Sequence, residues 1–573
     1  MTEALAVLLA PLHPALPLLV GALLVTAVPK RARQVLLLVV PAAGLLNLLR
    51  FEPGDAATVA LAGYQLQVLQ VDKLALLFGY LFHLAAFLAA IFSLHVDDRV
   101  QHLSALLYAG SAIGAVFAGD LIVLFVYWEL LAITSVFQIW ARRTPESLAG
   151  GQRYLLVNVA SGLLLLAGAA LRFRETGSLT FEHMELGGTS TLLIFLAFGI
   201  KCAFPLLHTW MTDAYPLATV TGTVFLSSFT TKTAVYALAR GFAGTDALIW
   251  IGAAMTVFPI FWAVIENDMR RVLTHSLNNQ LGFMVVGVGI GTEMALNGTA
   301  AHVFAHVLYK ALLFMAMGAV LLRTGRINAS ELGGLYKTMP WTAGFCIVGA
   351  ASISAFPLFS GFVSKSMVMA EAAHQGYVVV WLMMLFASAG VFHHAGIKIP
   401  FFAFYAHDSG LRPPEAPLNM RVAMGITAAL CVGIGCAPQL LYRLLPYEVA
   451  YAPYTTSHVL EQVQLLLFSA LAFTWLKLSG IYPPELRSVN LDVDWLVRRL
   501  VPAALGPPVR GLAAAWRATL GACRAGLAAL ERRLRWLHSP AGRLGEPWPA
   551  GATAFWAALL FAALLIYAFL ERA

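Results

Sequence analysis

Apolar runs of about twenty residues, parted by short polar segments, recur along almost the whole chain, and each is long enough to cross a bilayer's hydrocarbon core as an α-helix. The pattern predicts spans over 4–28, 34–50, 71–94, 101–118, 120–140, 152–171, 190–210, 219–239, 246–265, 272–290, 297–322, 341–371, 377–405, 419–440, 458–479 and 550–570. Stretches such as 74–94 and 553–570 are continuously apolar, whereas the strands of a transmembrane barrel alternate. The expected fold is therefore an all-α polytopic membrane protein of about 16 transmembrane helices.

Two spans carry the same tetrapeptide beside a lysine: Ala203-Phe204-Pro205-Leu206 near Lys201 in the seventh, and Ala355-Phe356-Pro357-Leu358 near Lys365 in the twelfth. Proline inside a span frees a backbone carbonyl, which only protein or water can cover. Paired broken helices are the mark of transporters built from repeats. The two copies lie five spans apart, and because five is odd a five-helix repeat would recur in the opposite membrane orientation. Two inverted five-helix repeats containing broken helices are expected over 101–240 and 246–405. N-terminal helices over 1–100 precede them, and helices over 406–480, a polar segment over 481–548 and a last span over 549–573 follow.

Composition agrees: 60% of the 573 residues are hydrophobic, 12% are charged, and the mean hydropathy is +0.78. The net charge of +8 is explained by loop topology rather than by nucleic-acid binding. With the N-terminus outside, Lys30/Arg31/Arg33, Arg142/Arg143, Arg270/Arg271, Arg323/Arg326/Lys337 and Arg412/Arg421 all fall on the cytoplasmic side of an inner membrane, and the C-terminus lies outside. Arg172, Arg174 and Arg240 are the outer-side exceptions, the first two balanced in part by Glu175, Glu182 and Glu185. Glu3 stands where a signal peptide would be basic, so the first run is taken as a span. The five cysteines form no CxxC pair and imply neither a cluster nor a disulfide framework.

Residues 481–548 differ in kind, with ten arginines against five acids. Leu512, Trp516, Leu520, Cys523, Leu527, Leu530, Leu534 and Leu537 recur every three or four residues while Arg510, Arg517 and Arg524 occupy another face, the pattern of an amphipathic helix on a lipid or protein surface. Pro507, Pro508 and Pro540 are expected to limit it to about 30 residues, roughly 45 Å.

The functional signal is charge inside apolar spans, where one ionised group costs on the order of 2.5 to 3.5 kcal/mol even on the lenient insertion scale. Glu129 lies mid-span in Tyr127-Trp128-Glu129-Leu130, and Lys201 and Lys232 occupy consecutive spans. A carboxylate beside a buried lysine makes the two titrate as a unit, so moving Glu129 relative to Lys201 would load or unload a proton. His302, His306 and Lys310, four apart, share a helix face; proton relay, structural hydrogen bonding and metal binding are the readings, and the absent HExxH glutamate and adjacent cation weigh against metal. His208, by the first break, is a further relay candidate or a cap for freed carbonyls, and His393-His394 is relay or structural. No haem, flavin or quinone signature is present, and no cofactor or metal is expected.

In order along the chain stand Tyr127-Trp128-Glu129-Leu130, Ile200-Lys201, His208-Thr209-Trp210, Lys232, Asn267-Asp268-Met269-Arg270-Arg271, Gln280-Leu281-Gly282-Phe283-Met284, Ala305-His306, Lys310-Ala311-Leu312-Leu313-Phe314 and Gly361-Phe362-Val363-Ser364-Lys365. Over roughly residues 70 to 405 this combination resembles the antiporter-like subunits shared by Mrp-type Na+/H+ antiporters, respiratory complex I and membrane-bound hydrogenases, and its central region looks closest to the D-type branch of the Mrp antiporter subunits. The resemblance implies that Glu129 modulates Lys201, that Lys232 and His306 are central relay members, and that Lys365 is the terminal proton donor. It also implies partner membrane subunits, protons and possibly Na+ as cargo, and a function in a cation/proton antiporter complex. The alternatives are redox-driven pumping in a complex I-like or hydrogenase-like assembly, where the chain would be part of a translocase, and a scaffold. Trp210-Met211-Thr212-Asp213-Ala214-Tyr215 departs from the family's Trp-Leu-Pro-Asp-Ala-His, lacking its proline and histidine.

Overall fold

The computed structural model describes residues 11–486, 490–546 and 549–571. The start of the first expected span, 4–10, and Glu3 lie outside them; the helix found there is α1, Leu16–Ala27. Every later expected span contains helix, and among the described residues ten helices are long and apolar enough to cross a membrane. Leu16–Ala27, Thr189–Lys201 and Pro340–Ile353 are shorter apolar helices. The hydropathy pattern did not predict an antiparallel hairpin, Ala56–Leu61 with Tyr64–Gln70, turning at Ala62-Gly63, both at positive φ.

The chain repeats itself in its caps. Asp120 caps α2, Leu121–Trp140, by accepting from the amides of Ile122 and Val123, and Asp268 caps α3, Met269–Ile290, through those of Arg270 and Arg271, each cap contributing about 1 kcal/mol. Each cap residue also bridges, antiparallel, to the loop after a later helix: Asp120 to Thr180 and Asp268 to Asn328. Those later helices, α4 (Pro145–Thr176) and α5 (Glu293–Thr324), are both 32 residues long and both end at a left-handed glycine, Gly177 and Gly325, the conformation a closing helix turn asks for.

The two tetrapeptides break their helices identically. Ala203 and Leu206 are left-handed (φ 62° and 69°), as are Ala355 and Leu358 (φ 57° and 73°). In both copies the phenylalanine amide reaches back five residues, Phe204 to the Gly199 carbonyl and Phe356 to that of Ala351, each at 3.0 Å. The breaks join α6, Thr189–Lys201, to a short turn of helix at Thr209–Ala214, and α7, Pro340–Ile353, to α8, Phe362–His374. Trp210 Nε1 covers the carbonyl of Ile200 (2.9 Å), and Gln462 Nε2 covers that of Ser354 (3.1 Å).

Two expectations are corrected. Arg270, counted as a loop charge, is buried and donates to the carbonyls of Ala218 (3.0 Å) and Thr219 (3.1 Å). The polar segment is not limited to 30 residues: Asp494–Leu537 is one 44-residue helix, about 66 Å at 1.5 Å per residue, with Pro502, Pro507 and Pro508 inside it. Proline removes one backbone donor each time, and on this exposed helix solvent can take the freed carbonyls, so the helix continues where a buried one would stop. Residues 491–573 form a compact unit of their own, which also holds Ala550–Leu570.

Candidate functional site

Lys201 is the last residue of α6, placed there because the left-handed Ala203 and Pro205 end the helix. Its side chain is fully buried, its ammonium donates to the Trp128 carbonyl, and Nζ lies 4.6 Å from the Trp128 ring centroid, within cation–π range. Trp128 is fixed in turn: Nε1 donates to Ser161 Oγ (2.9 Å), which donates to the Ala197 carbonyl (2.7 Å), tying α2, α4 and α6 together. Glu129, one residue on, interacts electrostatically with Lys201 without hydrogen-bonding it. It is half-buried, not fully buried as its place in the span implied, and its Oε1 is buried with no hydrogen bond. Gly162 of α4 makes room for it, since a Cβ there would collide with the carboxylate.

Lys232 follows a second discontinuity, where Phe229 (φ −108°, ψ −68°) separates Gly222–Ser228 from Thr230–Gly241. Its Nζ donates to the Ser227 carbonyl at 2.6 Å and to Thr231 Oγ1 at 3.2 Å. On α5, His302, His306 and Lys310 form the expected buried stripe. His302 Nδ1 meets Ser364 Oγ at 3.3 Å, Lys310 Nζ donates to Ser276 Oγ (2.9 Å) and the Leu273 carbonyl (3.2 Å), and both ring nitrogens of His306 are without a hydrogen bond. The two histidine rings are 6.2 Å apart, and Tyr309, 5.3 Å from His306, donates to Gln280 Oε1 (3.0 Å).

Lys365 sits on α8 just after the second break, 1% exposed, with Nζ making no hydrogen bond and lying 5.4 Å from the Phe283 ring centroid. A cavity of about 390 Å³, lined also by His458 and Gln462, opens beside it. His208 is buried against Phe258, ring centroids 4.7 Å apart.

One member of the row was missed. Lys398 lies in the expected thirteenth span, now Val378–Tyr405, on a wide π-helical turn over Phe392–Lys398. It is fully buried, donates to the carbonyls of Val264 (2.6 Å) and Glu266 (2.7 Å), and forms an ion pair with Glu485 at 3.1 Å. The rule that singled out Lys201 applies to it equally. Electrostatic interactions run from Lys232 to His302 and His306, from His302 to Lys365, from His306 to Lys310, and from Lys310 through buried His394 to Lys398. The result is a continuous buried series of proton-holding groups. Among the described residues no cluster of three or more His, Cys, Asp or Glu could hold a metal ion.

Residues 118–392, which hold all of this row except Lys398, His393 and His394, match the family model described as NADH:quinone oxidoreductase/Mrp antiporter, transmembrane. Over those residues the chain belongs to that family. Relatives within it include the D-type Na(+)/H(+) antiporter subunit of Alkalihalophilus pseudofirmus, 32% identical over 49% of this chain and 62% of the relative, and hydrogenase-4 component B of Escherichia coli K12, 29% identical over 54% and 52%. The chain thus spans between half and two thirds of the length of these relatives. The A-type subunit of the same Alkalihalophilus antiporter is 28% identical over 65% of this chain and 52% of its own length. Among solved structures, the Mrp complex from Dietzia sp. matches with a TM-score of 0.70 (23% identity, 80% of this chain, 99% of that one). The membrane-bound sulfane sulfur reductase, an archaeal respiratory complex, matches with the same score (21%, 97% and 99%). The antiporter-like fold is shared with both.

Proposed function

We propose that this chain is the proton-translocating subunit of a multisubunit Mrp-type cation/proton antiporter, bound in the membrane with partner subunits. The observation that supports this best is the buried row within the family's membrane region: Glu129, Lys201, Lys232, His306, Lys310 and Lys398, with His302 and Lys365 as a branch toward the cavity and His208 near the first break. Lysine ammoniums held by carbonyls can pass protons without net movement of helices. His306, with both nitrogens unpartnered, can accept on one and release from the other. The repeats would be 101–240 and 246–405, in inverted orientation, supported by the matching caps, bridges and breaks. The exposed apolar residues Val126, Leu130 and Ile133 flanking Glu129 offer a face to lipid or to a neighbouring protein.

The test is a tagged chain purified with its native partners and reconstituted in vesicles. Proton movement driven by added Na+ is expected, with antiporter subunits co-purifying; co-purification of redox subunits and dependence on an electron donor would replace this reading with redox-driven pumping. That second reading is kept because the match to the sulfane sulfur reductase covers 97% of this chain, including its C-terminal part.

We further propose an inner-membrane location with both termini outside and the 44-residue helix in the cytoplasm. In a background lacking the exposed Cys436 and Cys523, Arg517→Cys should react with an impermeant thiol reagent only from the cytoplasmic side. Labelling from the periplasm would reverse the topology.

A further inference from the structure

Glu485 lies beyond the last residue of the helix Thr456–Leu478, in a segment that folds back so that the Tyr482 amide donates to the Leu476 carbonyl (3.0 Å). Its side chain is 8% exposed and faces the fully buried Lys398, Oε1 to Nζ 3.1 Å. The other groups around it are Lys477, which lies over the Tyr482 ring at 5.4 Å, Tyr482 itself, and Glu266. His393 acts on Lys398 and packs against Tyr482, ring centroids 5.4 Å apart.

Two carboxylates therefore stand near Lys398, and they are not equivalent. Glu266 is fully engaged: Oε1 accepts from the amides of Asn267 (2.9 Å) and Asp268 (3.1 Å), while Oε2 accepts from Asn490 Nδ2 (3.1 Å) and lies 4.0 Å from Arg271. Glu485 has Lys398 and little else, and burial raises its carboxyl above the ordinary range. On the lysine side, the carbonyls of Val264 and Glu266, at the C-terminal end of the helix Asp246–Ile265, account for two N–H bonds. A neutral amine has two N–H bonds and an ammonium three. The third proton is the one directed at Glu485.

We infer that Glu485 takes the proton from Lys398 and releases it to water at the membrane surface, so that the row closes, as it opens at Glu129 and Lys201, on a lysine paired with a carboxylate. In the transfer one N–H bond of the Lys398 ammonium breaks and an O–H bond forms on Glu485, leaving a neutral amine held by its two carbonyls and a neutral acid. Glu485 then loses its proton to solvent, and Lys398 is recharged from the side of His394. No oxidant or reductant takes part. The inference rests on the proton-translocating reading of the row.

The experiment compares wild type, Glu485→Gln and Glu485→Asp in the assembled complex, measuring transport per folded molecule across pH. Glu485→Gln should transport about tenfold more slowly or worse, the scale of a lost acid–base group. Glu485→Asp, which keeps the charge and so the fold, should stay active with a displaced pH optimum. A pair kept only to anchor the segment predicts less folded protein with an unchanged rate and pH profile per molecule. That result, in either variant, overturns the inference. Lys398→Ala reports separately on the row: if it transports normally, the row reading fails, whereas an inactive Lys398→Ala beside an unaffected Glu485→Gln removes Glu485 alone.

Discussion

Lys201→Ala is expected to lower coupled proton transport by about a hundredfold or more, the range of a lost acid–base group, while the amount of protein in the membrane stays within about twofold of wild type. The two effects separate because Lys201 is held by little that the fold needs: its ammonium meets one carbonyl, that of Trp128, and one ring face. Trp128 keeps its own anchor through Ser161 when the lysine is gone. Truncation leaves a cavity, which destabilises, but it also removes a charge that was costly to bury, and the two partly cancel. Quantified membrane levels with vesicle transport check both halves. Full transport in Lys201→Ala would take this lysine out of the pathway.

Glu129→Gln should have the second largest effect. The amide keeps the size of the side chain but removes the charge that favours the ammonium form of Lys201, so the lysine holds its proton less firmly and loads only at lower pH. The transport optimum should move to acid and the rate at neutral pH should fall about tenfold or more. Glu129→Asp keeps the charge at a different distance and should retain part of the activity with a smaller displacement. Gly162→Ala makes the same point from the opposite helix, because its methyl would occupy the carboxylate's place and displace Glu129 without altering any titratable group. It should reproduce part of the Glu129→Gln phenotype. Transport against pH, normalised to folded protein, decides: an unmoved optimum in all three variants would reduce Glu129 to a structural role.

What a sequence of this kind makes legible is whatever is expensive in a bilayer. Lys201, Lys232, Lys310 and Lys365 announce themselves because a charge in an apolar run needs a reason wherever the chain folds, and Ala-Phe-Pro-Leu announces both breaks because proline cannot continue a helix. Lys398 carries the same signal, masked by its neighbours His393-His394. The hairpin is legible too, in the alternation Tyr64-Gln65-Leu66-Gln67-Val68 after a glycine turn. The partners are not. The Trp128 and Ser227 carbonyls, the space at Gly162 and the reach of Glu485 depend on which helices meet, and nothing local encodes that. The long surface helix exceeds its expected length because a penalty that holds for buried prolines does not carry over to exposed ones.

The shared form of the two breaks bears on how the molecule arose. Left-handed alanine and leucine cost about 1–2 kcal/mol each, and hydropathy alone would never select them. That the same four-residue kink, the same five-residue reach of a phenylalanine amide and the same capped and bridged 32-residue helix occur in both halves points to one ancestral five-helix module that already contained the kink before its gene was duplicated. The lysines then diverged around a fixed frame, Lys201 settling before the kink in one descendant and Lys365 after it in the other. An inherited hinge, with inherited strain, came first, and the proton-carrying side chains were fitted to it afterwards.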